Sequence, residues 1–189
     1  MDELINYMLQ FGHLNTQQIA LIKQKLKEVN LKRGDYFSIA GKVPHQVGFV
    51  NEGILRVCYY NKDGEEFTYC FMPENRFVVD YNAFINEVPC TKYVEALTDC
   101  KLYIFSRADF IELSNTIIGW DMIISKIMSA AMMRKVSDTN RMLNEDATNR
   151  YLHFMERNPD LVNRIPLSIV ASYLGITQSS LSRIRKNLS

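Results

Sequence analysis

The side chains best suited to specific chemistry lie between Leu167 and Lys186. Arg183 carries a guanidinium fork that matches the O6 and N7 acceptors of guanine, and the Gln178 amide matches N6 and N7 of adenine. Thr177, Ser179, Ser180 and Ser182 add hydroxyls that serve either bases or phosphates. Arg185 and Lys186 suit phosphates, contacts that position a protein on a duplex without specifying sequence. No acidic residue occurs from 161 to 189. The chemistry expected is recognition of double-stranded DNA, not bond-making.

Such groups need a scaffold, and the same segment supplies one. Ala171 is small where two helices would cross closely, and Gly175 stands where the chain must turn. Val170, Leu174, Ile176, Leu181 and Ile184 supply a shared interior. Thr177 can cap the second helix by accepting a backbone N–H bond. These features predict a helix-turn-helix whose second helix faces a major groove. The plainer reading is a helical hairpin packed into a core.

Other chemistries find little support. The four cysteines, Cys58, Cys70, Cys90 and Cys100, form no CxxC pair, so neither a zinc site nor an iron–sulfur cluster is expected and buried free thiols are. A metal-dependent β-barrel enzyme needs several histidines and a carboxylate on one ion. Here His45 stands alone in the β-rich part, with His13 and His153 outside it. No P-loop, dinucleotide fingerprint or Ser-His-Asp set occurs. The first residues show no basic leader with an apolar core, and no apolar run reaches membrane-spanning length, so a cytoplasmic protein without metal or membrane is expected. Of 22 basic and 21 acidic residues, six basic and two acidic lie in 150–189. That excess of positive charge points to a polyanionic partner.

Along the chain, Leu4, Ile5, Met8 and then Ile19, Leu21, Ile22, Leu26 and Val29 recur at helical spacing, with a cap signal at Asn15 and Thr16. Two short helices are predicted within 3–29. From Leu31 short β-branched and aromatic runs alternate with turn residues. Ile54–Tyr60 and Glu66–Phe71 flank Asp63-Gly64 and predict a hairpin, and further strands are predicted at Tyr93–Ala96 and Lys101–Ser106. A helical turn is predicted at Arg107–Leu113, and a long helix over 116–140. In that helix Ile117, Trp120, Ile124, Ile127 and Ala131 form one stripe, while Ile123, Met128, Met132 and Met133 make other faces apolar. A helix apolar on several faces must be covered twice, by its own β-block and by the same helix of a second copy, giving a two-fold dimer. A central helix in a monomer is the alternative. A further helix is predicted over 147–157, ending at Asn158-Pro159, and Pro166 opens the last segment.

Three stretches carry a resemblance: Phe49-Val50-Asn51-Glu52-Gly53-Ile54-Leu55-Arg56, Tyr93-Val94-Glu95-Ala96-Leu97, and Ile169 to Thr177 followed by Leu181 to Lys186. Together they resemble the cyclic-AMP receptor protein (Crp/Fnr) family of bacterial regulators, in a Bacteroidetes-type branch, over essentially the whole chain. The resemblance implies an α+β fold. Residues 1–113 would form a cyclic-nucleotide-binding-type β-roll (a double-stranded β-helix), 114–143 a long dimerisation helix, and 144–189 a winged helix-turn-helix. It also implies control of promoters, with double-stranded DNA, a second copy of the chain and RNA polymerase as partners. The family's ligand cassette, a Gly-Glu pair for ribose and an Arg-Ser or Arg-Thr pair for phosphate, falls at Val79-Asp80 and Cys90-Thr91. A thiol cannot replace a guanidinium fork on phosphate, so cyclic AMP is not the expected ligand, no cofactor is implied and the effector stays open. Arg76 and Lys92 are the nearby cations. The family commonly has Arg and Glu where Gln178 and Ser179 stand, so its operator sequence does not carry over. Two other readings stand beside this one: a ligand-binding or protein-interaction module with a vestigial helix-turn-helix, and a cupin-type metal enzyme.

Overall fold

The computed structural model describes residues 1–188 as eight strands and eight helices. They fall into two compact units. One comprises Met1–Val57 with Phe71–Ala130, the other Cys58–Cys70 with the chain from Ala131 onward.

The first unit opens with helices α1 (Asp2–Leu9) and α2 (Thr16–Lys25). The Asn15 side chain accepts from the Gln18 backbone N–H while Gln18 Oε1 accepts from the Asn15 N–H, a reciprocal cap that fixes the start of α2. Here the helical spacing misleads. Helix α2 stops at Lys25, and Lys27–Leu31 is strand β1, because β8 (Cys100–Ser106) offers it an antiparallel ladder from Lys27↔Ile104 to Leu31↔Cys100. Long-range pairing outweighs the local helical pattern of Leu26 and Val29.

The remaining strands are β2 (Tyr36–Ser38), β3 (Gln46–Glu52), β4 (Leu55–Tyr60), β5 (Glu66–Met72), β6 (Arg76–Val78) and β7 (Tyr93–Ala96). They form two four-stranded sheets, ordered β1-β8-β3-β6 and β2-β7-β4-β5. Alternation along β3 and β8 divides their side chains between two cores. Val47, Phe49, Tyr103 and Phe105 join Leu4, Met8, Ile22, Phe110 and Trp120 on the helical side. Val50, Leu102 and Ile104 turn the other way to meet Leu55, Val94 and Ala96 between the sheets. The turn between β3 and β4 admits only glycine. Gly53 has φ +95°, and a Cβ there would stand 2.5 Å from the Asp99 carbonyl oxygen.

A short helix α3 (Tyr81–Asn86) falls between β6 and β7 in the chain, and α4 (Arg107–Thr116) and the long α5 (Trp120–Asn144) follow β8. Helix α4 exceeds the expected turn, and α5 lies four residues further on than the spacing implies, because the chain breaks at Ile117–Gly119 with Gly119 at φ +88°. The face allocation also differs from expectation. Ile123 belongs to the buried stripe with Trp120, Ile124 and Ile127, whereas Ala131 is exposed.

The second unit contains the β4–β5 hairpin tip, the later part of α5, and helices α6 (Ala147–Arg157), α7 (Leu167–Leu174) and α8 (Gln178–Leu188). The hairpin turn is wider than a two-residue turn: Asn61 Oδ1 accepts from the N–H groups of Asp63 and Glu65, both at 2.9 Å. Asp146 caps α6 by accepting from Thr148 and Asn149. No strand follows α8 among the described residues, so the wing expected after the helix-turn-helix is not part of residues 144–188. No helix among them is long and apolar enough to cross a membrane.

Candidate functional site

Helices α7 and α8 are joined by a turn of three residues, and its geometry follows from residue type. Gly175 takes the left-handed conformation, φ +66°, at the end of α7. Its N–H reaches the Ser172 carbonyl, and the Ile176 N–H reaches Ala171 at 3.0 Å, which closes α7 in the manner a glycine allows. Thr177 Oγ1 then accepts from the Ser180 N–H at 3.2 Å and sits within hydrogen-bond distance of the Ser179 and Ser180 hydroxyls. Val170, Ala171, Leu174 and Leu181 are buried together with Tyr151, Phe154, Leu161 and Ile165, while Ile176 and Ile184 are half-buried.

With Leu181 and Ile184 turned inward, the helical period puts Ser179, Ser182, Arg183 and Lys186 on the opposite side of α8, flanked by Gln178 and Arg185. These six side chains are exposed, whereas Ser180 is half-buried under the Thr177 cap. The helix therefore presents hydroxyls, an amide and cations with no carboxylate among them.

Two features of this unit lie outside what the sequence indicated. Strand β5 is an edge of its sheet, so its outward N–H and C=O groups need partners. Ser172, on α7, supplies both: its hydroxyl accepts from the Thr68 N–H at 3.0 Å and donates to the Glu66 carbonyl at 3.4 Å. Lys135 of α5 holds the same strand, donating to the Tyr69 carbonyl at 2.6 Å with its ammonium 3.5 Å from the Tyr69 ring centre. Nearby, Tyr173 packs on Phe154, and burial, reinforced by Asp138, pushes its phenol far above the ordinary value so that it stays protonated. A serine in a helix gives no sign of an edge strand far away in sequence. Ser172→Ala is expected to cost about 0.5–1.5 kcal/mol, the net value of such hydrogen bonds, in chemical denaturation. A ΔΔG indistinguishable from zero would show that water replaces the hydroxyl without loss.

In the first unit the four cassette positions do not converge on an anion site. Asp80 Oδ1 accepts from the Ala83 N–H and caps α3. Cys90 is buried, its thiol donating to the Ile39 carbonyl at 3.2 Å and lying 3.4 Å from the Ser38 hydroxyl. Thr91 is exposed and Val79 half-buried. No Lys or Arg occurs from 79 to 91. Arg76 donates to the Asn75 carbonyl. A cavity of about 310 Å³ opens beneath the β2–β3 connection, with Val79 and Asp80 among its lining residues. No disulfide joins the four cysteines; Cys58, Cys90 and Cys100 are buried and Cys70 is half-buried. Burial pushes the Cys100 thiol up and keeps it protonated.

Two facing sheets with flanking helices define a cyclic-nucleotide-binding-type β-roll. Residues 28–116 match the family model described as the cyclic nucleotide-binding domain. The whole chain has the fold of the Crp/Fnr regulators. It is similar to a structure described as a transcriptional regulator of the crp/fnr family from Eubacterium rectale, at 16% identity and TM-score 0.74, covering 96% of this chain and 87% of that one. It is also similar to CLP of Xanthomonas campestris, described as a c-di-GMP responsive global regulator, at 15% identity and TM-score 0.73, covering 92% and 91%. FixK2 from Bradyrhizobium japonicum is similar at 17% identity and TM-score 0.71, covering 86% and 84%. No curated protein is matched by the sequence.

Proposed function

We propose that this chain is a sequence-specific, DNA-binding transcription regulator of the Crp/Fnr type, acting as a homodimer in the cytoplasm and not as an enzyme. The observation that carries the reading is the outward face of α8, where exposed Gln178, Ser179, Ser182, Arg183, Arg185 and Lys186 stand together without a carboxylate. Thr177 and Ser180 set the helix start, and hydroxyls there are of a type that serves phosphates. The functional division is residues 1–113 as sensor-type domain, 114–143 as dimerisation helix and 144–189 as DNA-binding domain. RNA polymerase is the partner that follows from promoter control.

Dimerisation through α5 is supported by its apolar exposed stripe. Met122, Met132, Val136 and Leu143 are exposed and recur at the a and d positions of a seven-residue repeat, the pattern of a helix that pairs with another. Two copies so paired would present two α8 helices to half-sites about one duplex turn apart.

Cyclic AMP does not control this regulator. Cys90, where a phosphate-binding arginine is expected, is buried and hydrogen-bonded to the protein itself, and Asp80 is engaged as a cap. Adding cyclic AMP at millimolar concentration is expected to give no concentration-dependent rise in Tm, since only a ligand of the folded state raises it. A saturable rise would overturn this part of the reading.

Selection of bound sequences from random duplex DNA by the purified chain, at physiological salt and without added ligand, tests the function. Enrichment of a two-fold symmetric motif is the expected result. Binding that is only non-specific and salt-sensitive would favour a module whose helix-turn-helix is vestigial.

A further inference from the structure

Resting on the DNA-binding reading, we infer that Arg150 of α6 anchors the helix-turn-helix by taking a backbone phosphate of the duplex beside the α7–α8 turn. Where α5, α6 and α7 meet, the carboxylates already have basic partners. Arg157 donates to Asp138, Arg141 lies 3.5 Å from Glu145, and His153 lies between Glu145 and Glu156 at 3.3 and 3.2 Å. Arg150 has none: among the described residues its guanidinium forms no ion pair, and its buried Nε finds no acceptor. A donor kept from water without an acceptor costs stability, so a guanidinium held in this way calls for an anion. The anion does not enter from the inner side. The space that Arg150 lines between the three helices is about 20 Å³, enough for one water-sized group and too small for a phosphate.

The outer side decides which anion it is. Arg150 Nη1 lies 3.7 Å from the place that a Cβ would take on Gly175, and no other side chain comes as near to that point. Gly175 and Thr177 are exposed and Arg150 is half-buried, so the guanidinium is presented at the open side of the turn. Helix α8 begins at Gln178, three residues after Gly175. A duplex that receives α8 in its major groove carries its sugar-phosphate strands past the start of that helix. A guanidinium gives a phosphate two parallel donors, and no acidic residue from 161 to 189 competes for them. The stem of Arg150 is already held against the end of α7. It therefore loses fewer rotamers on binding than the exposed Arg185 and Lys186 do.

Fluorescence anisotropy with the full chain compares the unaltered protein, Arg150→Gln, Arg150→Met and Arg150→Lys on the selected operator and on an unrelated duplex, across a salt series. Arg150→Gln should weaken both duplexes alike, by roughly tenfold per half-site at physiological salt, and reduce the salt slope by about one per half-site. Arg150→Met keeps the apolar stem and should do the same. Arg150→Lys keeps the charge and should retain the slope and part of the affinity. Without DNA, the Tm of the glutamine and methionine variants should not fall, because each removes an unpaired charge. A merely structural role gives the opposite pattern: a lowered Tm, an unchanged slope and no rescue by lysine. That pattern overturns the inference, as does a loss confined to the operator. So does a rise in Tm on adding inorganic phosphate that Arg150→Gln abolishes, since it would assign the site to a free anion. Each of these leaves the regulator reading standing, whereas absence of binding by the unaltered chain would remove that reading and the anchor with it.

Discussion

Met132→Glu combined with Val136→Glu is expected to leave the chain monomeric at micromolar concentration, where the proposed regulator is expected to sediment as a dimer. Both side chains are exposed on α5 within the stripe that Met122 and Leu143 continue. In a two-fold helix pair each is covered by its counterpart, and fully burying a side chain of this type contributes about 1.5–3 kcal/mol. Symmetry doubles every loss. It also brings four carboxylates onto one seam, where desolvation and mutual repulsion both oppose pairing. Neither position contributes to the buried side of α5, which is built from Trp120, Ile123, Ile124 and Ile127, so the chain itself stays folded. DNA binding should fall with assembly, because two half-sites held by one dimer act at a high effective concentration and two monomers do not. Sedimentation velocity reads the result. A variant that still sediments as a dimer would place the interface away from α5.

The second large effect is at Arg183. Arg183→Ala is expected to weaken binding to the selected operator by about 1–3 kcal/mol per half-site, roughly 5–150-fold, and to relax specificity at one base pair. Arg183 is exposed on α8 and makes no ion pair with a carboxylate among the described residues, so truncation leaves nothing buried and unpaired. Arg183→Lys keeps the charge and loses the fork, and should recover little of the specificity. Fluorescence anisotropy across a salt series separates the possibilities. If Arg183 only neutralised a phosphate, both substitutions would shift affinity uniformly across sequences, and Arg183→Ala would reduce the salt slope by about one. That pattern would sink the base contact and move the guanine-reading role to another side chain.

What the residues declare by themselves is local. Asn15 and Thr16 announce a helix start, and Asn15 caps one there. The runs on either side of Asp63-Gly64 alternate over short lengths and become β4 and β5. Ala171, Gly175 and Thr177 fix a helix, a turn and a second helix within ten residues, because close crossing, positive φ and a capping oxygen each have a residue type of their own. The exposed side chains of α8 were legible for the same reason: once Leu181 is inward, the helical period determines the rest.

Only the tertiary structure decided the features that depend on partners remote in sequence. Leu26 and Val29 read as helix until β8 supplies a ladder for β1. Ile123 and Ala131 exchange roles because the break at Gly119 sets the rotation of α5 against the core. Cys90 shows where a guanidinium is missing, but not that its thiol closes against Ile39 and Ser38, 51 and 52 residues earlier. Ser172 reads as an ordinary helical serine, yet it satisfies an edge strand more than 100 residues away. Val79 and Asp80 were singled out in the sequence, but not the cavity beside Lys42 that they help line, since its walls come from separate strands and loops. Helical period, turn chemistry and capping act over a few residues and are written in residue types. Ladder partners, cavities and clasps arise from where distant segments meet, which the balance of burial and backbone pairing over the whole fold determines.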